Sequence, residues 1–352
     1  MAVPGDGGKM SDARPRPEAG HGLDASRTDA ETRPDAGAVD ARDRDVVTDG
    51  PSPDARAIDA ASRDASDGGA ASLVLFGGGG AAGVLGDIWR WNGATWTAVT
   101  GSAPPARSYA AMALAGNTLA LFGGLSASVT LADTWLGNGA AWTNPNVAAP
   151  PPRSNFAMAT LGSSAVLFGG EGNASTILGD TWTWNGTSWN EGTAGGPPAR
   201  VCHVMATLGD KVVLFGGAHG SPPYLGDTWI WNGSVWTDAN VTGPSARCSA
   251  TMGTLGGKVV LFGGQDGAHV LSDTWTFDGV SWSNPSVSGP SARQESTMGT
   301  FGSTVVLFGG LGERDASYGL LADTWVWDGT AWAESTASGP PARAVGVMGM
   351  LP

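Results

Sequence analysis

The apolar positions fall into short runs bounded by glycine. Val212-Val213-Leu214-Phe215 closes on Gly216-Gly217, and a stretch of mixed polarity follows. Asp227-Thr228-Trp229-Ile230-Trp231 then places large side chains at every second position or nearly so, before Asn232-Gly233, Trp236 and Pro244-Ser245-Ala246-Arg247. A four-residue run rich in β-branched residues is too short for a helix, and an alternating run fits a half-buried strand.

This order of features recurs six times. Phe-Gly-Gly begins at Phe76, Phe122, Phe168, Phe215, Phe262 and Phe308, with spacings of 46, 46, 47, 47 and 46. The acid opening the next segment is Asp87, Asp133, Asp180, Asp227, Asp273 and Asp323, and the later base is Arg107, Arg153, Arg200, Arg247, Arg293 and Arg343. A methionine stands five residues after each arginine, from Met112 to Met348. Each unit predicts four strands. The first runs from the arginine through the methionine (Arg200 to Leu208), the second is the apolar run (Val212 to Phe215), the third is Asp-Thr-Trp-x-Trp and the fourth carries the last tryptophan. Asn-Gly or Asp-Gly stands between the third and fourth strands in every copy, from Asn92-Gly93 to Asp328-Gly329, as a tight type I′ hairpin requires.

Four-stranded units at this period predict an all-β, six-bladed propeller over residues 72–352. The repeats start at a second strand (Ser72 to Phe76) and end on a first strand (Ala344 to Leu351). The C-terminal strand is therefore expected to complete the N-terminal blade. In the second copy Gly137 stands where the others have Trp91, Trp184, Trp231, Phe277 and Trp327, which predicts a loosely packed blade.

The double glycine, the spaced aromatic residues and the arginine before the next strand resemble kelch repeats, as in the central domain of galactose oxidase. The resemblance covers residues 72–352. It implies a recognition scaffold, and in some kelch proteins arginines of this region contact an acidic ligand. Copper oxidases of this fold need paired tyrosines, paired histidines and a tyrosine–cysteine crosslink. This chain has only Tyr109, Tyr224 and Tyr318, with no cysteine in a suitable loop. No cofactor is expected, and no Ser-His-Asp or paired-carboxylate constellation stands out.

Residues 1–71 change the picture in a different way. They are rich in Asp, Ala, Arg, Pro, Gly and Ser, contain no aromatic residue, and keep no apolar period. Such a segment buries too little surface to offset its ordering entropy and is expected to be a disordered linker. It resembles the spacers that follow the lipidated cysteine of bacterial surface lipoproteins, although no such cysteine or signal peptide is visible here. An extracellular or cell-surface location is expected, with a cytoplasmic one left open. The net charge of −13 is shared by both parts, which disfavours nucleic-acid binding. No apolar run is long enough to span a membrane, and a monomer is expected.

Antiparallel alternation puts the second-to-third loops and the fourth-to-first connections on one edge of the disc. The opposite edge has only short turns. The varied loops carry His219 and Tyr224 in the fourth copy, Asp266 and His269 in the fifth, and Glu313, Arg314, Asp315 and Tyr318 in the sixth. These are the expected ligand-binding residues, since binding groups favour loops on a rigid scaffold. The strictly repeated arginines, aspartates and tryptophans are expected to be structural. Cys202 and Cys248 are expected on opposite strand faces and unpaired. His219, Asp266 and His269 do not have a diagnostic metal spacing. The leading expectation is a non-catalytic module that binds a protein partner on this rim. The alternatives are a carbohydrate-binding module, or a hydrolase or isomerase using acids and histidines of copies four to six.

Overall fold

The computed structural model describes residues 71–192, 195–220, 222–314 and 317–352. The predicted linker lies outside the described residues apart from its last position, and so does Asp315.

Six antiparallel sheets form the blades, and the innermost strands touch in chain order until the sixth touches the first. Blade four shows the plan, with Val204–Leu208, Lys211–Ala218, Tyr224–Trp231 and Trp236–Asp238 side by side. Blade one is assembled from both ends of the repeat array. Val347–Leu351 pairs with Ser72–Gly80, Ser72 opposite Leu351 and Phe76 opposite Val347. The expected closure by the C-terminal strand is therefore present.

The core lies between blades. Phe168 of blade three packs with Met205, Leu214, Trp231 and Trp236 of blade four. Burying a tryptophan of about 150–250 Å² contributes roughly 4–6 kcal/mol of transfer free energy, so the repeated indoles are a main source of cohesion. Each fourth-strand indole except one also donates its N–H across the interface. Trp189 Nε1 reaches Thr134 Oγ1 and Trp236 Nε1 reaches Thr181 Oγ1, both at 2.9 Å.

Blade two is the exception, and it is not loose. Trp142 swings into the space that a side chain at position 137 would take, and it is 2% exposed. Its indole N–H has no hydrogen-bond partner, because the neighbouring blade presents Ile88 where the others present threonine. Gly137, Trp142 and Ile88 thus depart from the pattern together.

Three further expectations are corrected. In blades one, three, four and six the second and third strands extend past the glycines, which form a bulge rather than an end, whereas in blades two and five the second strand stops at Phe122 and Phe262. In blade six the ladder continues to Arg314 opposite Ser317, so most of the predicted loop is a hairpin. Positive φ at Gly309 (64°) and Gly310 (105°) re-aims the chain and lets pairing resume.

The first strand is broken. Val201 makes one bridge to Ala218, and the ladder resumes at Val204, because Cys202 between them adopts φ 50°. In blade six both pieces, Arg293–Gln294 and Thr297–Phe301, pair with the same neighbour.

Cys202 and Cys248 form a disulfide between blades four and five, with Cα atoms 5.3 Å apart. Face alternation applies to an extended strand. The left-handed conformation of Cys202 cancels it and turns the thiol toward the next blade.

Candidate functional site

The break in the first strands builds the mouth of the central channel. Tyr109, Asn155, Cys202, Ser249, Glu295 and Val345 each follow a repeat arginine by two positions, and each has φ between 50° and 58°. A side chain in this region is strained by about 1–2 kcal/mol. The strain is offset by a closed circle of backbone bonds. Asn155 donates its N–H to Tyr109 O (3.2 Å), Cys202 to Asn155 O (3.0 Å) and Ser249 to Cys202 O (2.9 Å). Glu295 donates to Ser249 O and Val345 to Glu295 O (both 2.9 Å), and Tyr109 returns to Val345 O (3.3 Å).

These residues line a cavity of about 120 Å³ together with His203 and Ser296. Below it, the innermost strands enclose a channel of about 300 Å³ walled by the six methionines and by Thr160, Thr207, Thr254 and Thr300. Glu295 is the one charged side chain in the ring of six. Tyr109 donates its hydroxyl to Glu295 Oε1 at 3.3 Å, across Val345. Burial holds the Glu295 carboxyl above its usual range, and the Tyr109 bond only partly offsets this. Burial, then the Glu295 charge, push the Tyr109 hydroxyl up to about 12.

His203 sits beside the ring, 4% exposed, with its imidazole edge-on to Phe168. It occupies the place of Phe156 in the previous blade, and neither ring nitrogen has a well-formed hydrogen bond. Burial, and secondarily the Arg200 charge, lower its pKa to about 3, against smaller opposing contributions from the Phe168 backbone and Asp227.

The six arginines are committed to the scaffold. Arg247 takes its backbone to blade four, where its N–H meets Leu225 O (3.0 Å) and its carbonyl accepts from Gly217 (2.8 Å). Gly216 must be glycine here, with φ 68° and a hypothetical Cβ only 2.7 Å from Arg247 O. The Arg247 guanidinium turns to blade five and bonds Gly263 O (3.0 Å) and both oxygens of Asp273 (2.6 and 2.8 Å). The same fork joins Arg107 to Asp133, Arg153 to Asp180, Arg200 to Asp227, Arg293 to Asp323 and Arg343 to Asp87. In each case the tryptophan two residues on donates to the same carboxylate, as Trp229 Nε1 does to Asp227 Oδ2 at 2.6 Å. Burial alone would raise these carboxyls. In Asp87, Asp133, Asp180, Asp227 and Asp273 the arginine and tryptophan bonds and the arginine charge outweigh it and hold them low. The arginine side chains are at most 1% exposed, so each is a clamp between blades and none is presented to a ligand.

The rim residues expected to bind form two groups. In blades four and five, Tyr224 packs against the Val201–Ala218–Cys248 cluster and lies beside Gly267 of the next loop. His219 Nδ1 is 2.7 Å from Ala199 O. The backbone amides of His269 and Ala268 hold the half-buried Asp266 carboxylate low, and the His269 ring stands 3.7 Å from it. In blade six, Glu313 and Tyr318 face each other across the hairpin. Tyr318 is 55% exposed and its hydroxyl accepts from Gln294 Nε2 at 3.2 Å. Beside the hairpin a groove of about 880 Å³ runs between Tyr318–Thr324 and Glu334–Ala337. Among the described residues no three His, Cys, Asp or Glu side chains are placed to hold a metal.

The ring at the channel mouth is absent from the expected site. Its signal is nonetheless in the sequence: within a strict frame, the position two after each arginine is Tyr, Asn, Cys, Ser, Glu and Val.

These features define a closed, six-bladed propeller whose repeated polar groups join the blades and whose unlike residues gather on one face. The KLHDC2/KLHL20/DRC7 Kelch-repeats domain matches residues 40–190 and, in a second overlapping placement, 138–281. Together the two placements cover more than half of the sequence, and the chain belongs to the kelch-repeat family. Comparison with curated proteins gave no match.

Proposed function

We propose that the chain is a non-catalytic recognition module that binds a protein partner on the face carrying the second-to-third loops and the fourth-to-first connections. The observation that supports this most is the blade-six hairpin, which presents Tyr318 next to a groove of about 880 Å³. A tyrosine offers a large amphipathic surface at low entropic cost and is enriched among residues that dominate protein interfaces. A propeller of the kelch family is a rigid scaffold of a kind suited to such display. His219, Tyr224, Asp266 and His269 extend the surface over blades four and five.

The Cys202–Cys248 disulfide supports folding in an oxidising compartment, in line with an extracellular or cell-surface location. Among the described residues no helix is long and apolar enough to cross a membrane.

The test compares partner capture by the full chain, by the double variant Arg314→Ala/Tyr318→Ala, and by Lys211→Glu on the opposite edge. Capture that falls at least tenfold in the first variant and holds in the second is the expected result. Equal capture by all three would remove the rim from the account. Glycan binding by the unaltered chain would favour the carbohydrate reading instead.

A further inference from the structure

The channel mouth carries a negative group with no counter-charge among the described residues. We propose that it is a pocket for a protonated primary amine, with Glu295 as the counter-ion and Asn155 and Ser249 supplying further oxygen acceptors. For the source of that amine, the end of a lysine side chain on the partner, the inference rests on the protein-binding reading above.

Three observations carry it. First, the Glu295 carboxylate can accept about four hydrogen bonds, and among the described residues its one side-chain hydrogen bond is that from Tyr109 at 3.3 Å, long for a hydroxyl donor. Second, no basic side chain among the described residues forms an ion pair with Glu295. The repeat arginines cannot swing to it, because each is buried and its guanidinium is already held on two or more acceptors. Third, the backbone ring satisfies its own amides and carbonyls, so it leaves no row of free N–H groups to attract an anion.

Size and field agree with this chemistry. The cavity of about 120 Å³ admits the end of a side chain rather than a whole residue with its backbone. Over residues 72–352, eleven acids and four bases remain once the six arginine–aspartate pairs cancel, so the surrounding field also favours a cation. An ammonium group brings three donors, which match the Glu295 carboxylate and the side-chain oxygens of Asn155 and Ser249. On entry it displaces the Tyr109 hydroxyl from Glu295. This reverses the polarity that the family resemblance implies for the arginines.

The experiment titrates the full chain with n-butylammonium chloride and follows heat and melting temperature, with sodium butyrate and n-butanol as comparators. Saturable binding of butylammonium alone is expected, at least tenfold weaker in Glu295→Gln. Tyr109→Phe frees the carboxylate and should bind at least as tightly as the unaltered chain. No saturable binding, equal binding in Glu295→Gln, or preference for butyrate would overturn the proposal. Should Glu295→Gln fail to fold, the comparators and Tyr109→Phe still decide, since weakened binding in Tyr109→Phe also contradicts it. The titration contains no partner protein, so it succeeds or fails independently of the rim experiment.

Discussion

Arg343 and Asp87 lie 256 positions apart in the chain, yet Arg343 Nη1 meets Asp87 Oδ1 at 2.7 Å. The seam of the ring is thus made by the same fork that joins every other pair of blades. Because Val347–Leu351 also supplies the inner strand of blade one, the seam is a hydrogen-bonded strand ladder as well as an ion pair. Ending the chain at Ala342 removes both. A shift of the whole melting transition to lower temperature is expected in calorimetry, whereas an unchanged main transition would mean the seam contributes little.

The six pairs should not be equal. The Asp323 side chain is 3% exposed and that of Asp87 is 37% exposed. Removing the charge from the more buried partner strands a guanidinium with less water to compensate, at a cost of about 3 kcal/mol or more, against about 1 kcal/mol at an exposed site. Denaturant unfolding should rank Asp323→Asn as more damaging than Asp87→Asn.

Two acid-side effects follow from the charges. The His203 ring has a pKa of about 3 when folded and an ordinary value of 6.5 when unfolded. Between these values only the unfolded chain binds the proton. Acidification through this window therefore lowers stability by up to about 1.4 kcal/mol per pH unit. His203→Phe, which copies Phe156, should flatten that slope. The aspartates, held low, add a separate loss as pH falls below the usual carboxylate range. A slope that persists in His203→Phe between pH 6.5 and 4.5 would assign the effect elsewhere.

Glu295 behaves in the opposite sense. Its carboxyl is raised by burial, so ionisation destabilises the fold as pH rises above the usual carboxylate value. Glu295→Gln should melt at a higher temperature than the unaltered chain at pH 7, and the gap should close at pH 4.

Blade two offers a test of coupled packing. Gly137→Trp alone forces a ring into the space held by Trp142 and should cost about 1–3 kcal/mol. Ile88→Thr supplies the hydroxyl that other fourth-strand indoles use. Combined with Gly137→Trp it should let Trp142 return to the common position, so the double variant should be more stable than the sum of the singles. Strict additivity would mean that Trp142 does not move.

The Cys202–Cys248 bond closes 46 positions of chain across a blade interface. Chain-entropy arguments put its stabilisation at about 4 kcal/mol. Reductant or Cys248→Ser should lower the melting temperature by a comparable amount in both cases.

Much of this architecture is legible in the sequence alone. A spacing of 46 or 47 with Phe-Gly-Gly, Asp-x-Trp and arginine in fixed order dictates blades, and the terminal strands dictate closure. What escaped the sequence depends on backbone conformation at single residues. Nothing in the residue types of Tyr109, Asn155, Cys202, Ser249, Glu295 and Val345 announces a shared left-handed turn, and that turn decides both the disulfide and the channel mouth. The blade-six hairpin was hidden for another reason: the stretch from Leu311 to Ala322 mixes glycine, charged and apolar residues without alternation, so its paired strands resemble a loop.

The central claim is that repeated residues hold the propeller together and unlike residues on one face do its work. The most direct test pairs Arg153→Lys with Tyr318→Ala and measures melting temperature and partner capture for each. Lysine keeps the charge of Arg153 but not its two-pronged grip on Asp180. The account predicts a melting temperature lower by about 2–4 °C for each kcal/mol lost, with capture per folded molecule unchanged, for Arg153→Lys. For Tyr318→Ala it predicts an unchanged melting temperature with capture reduced at least tenfold. Loss of capture in Arg153→Lys at an unchanged melting temperature would contradict it.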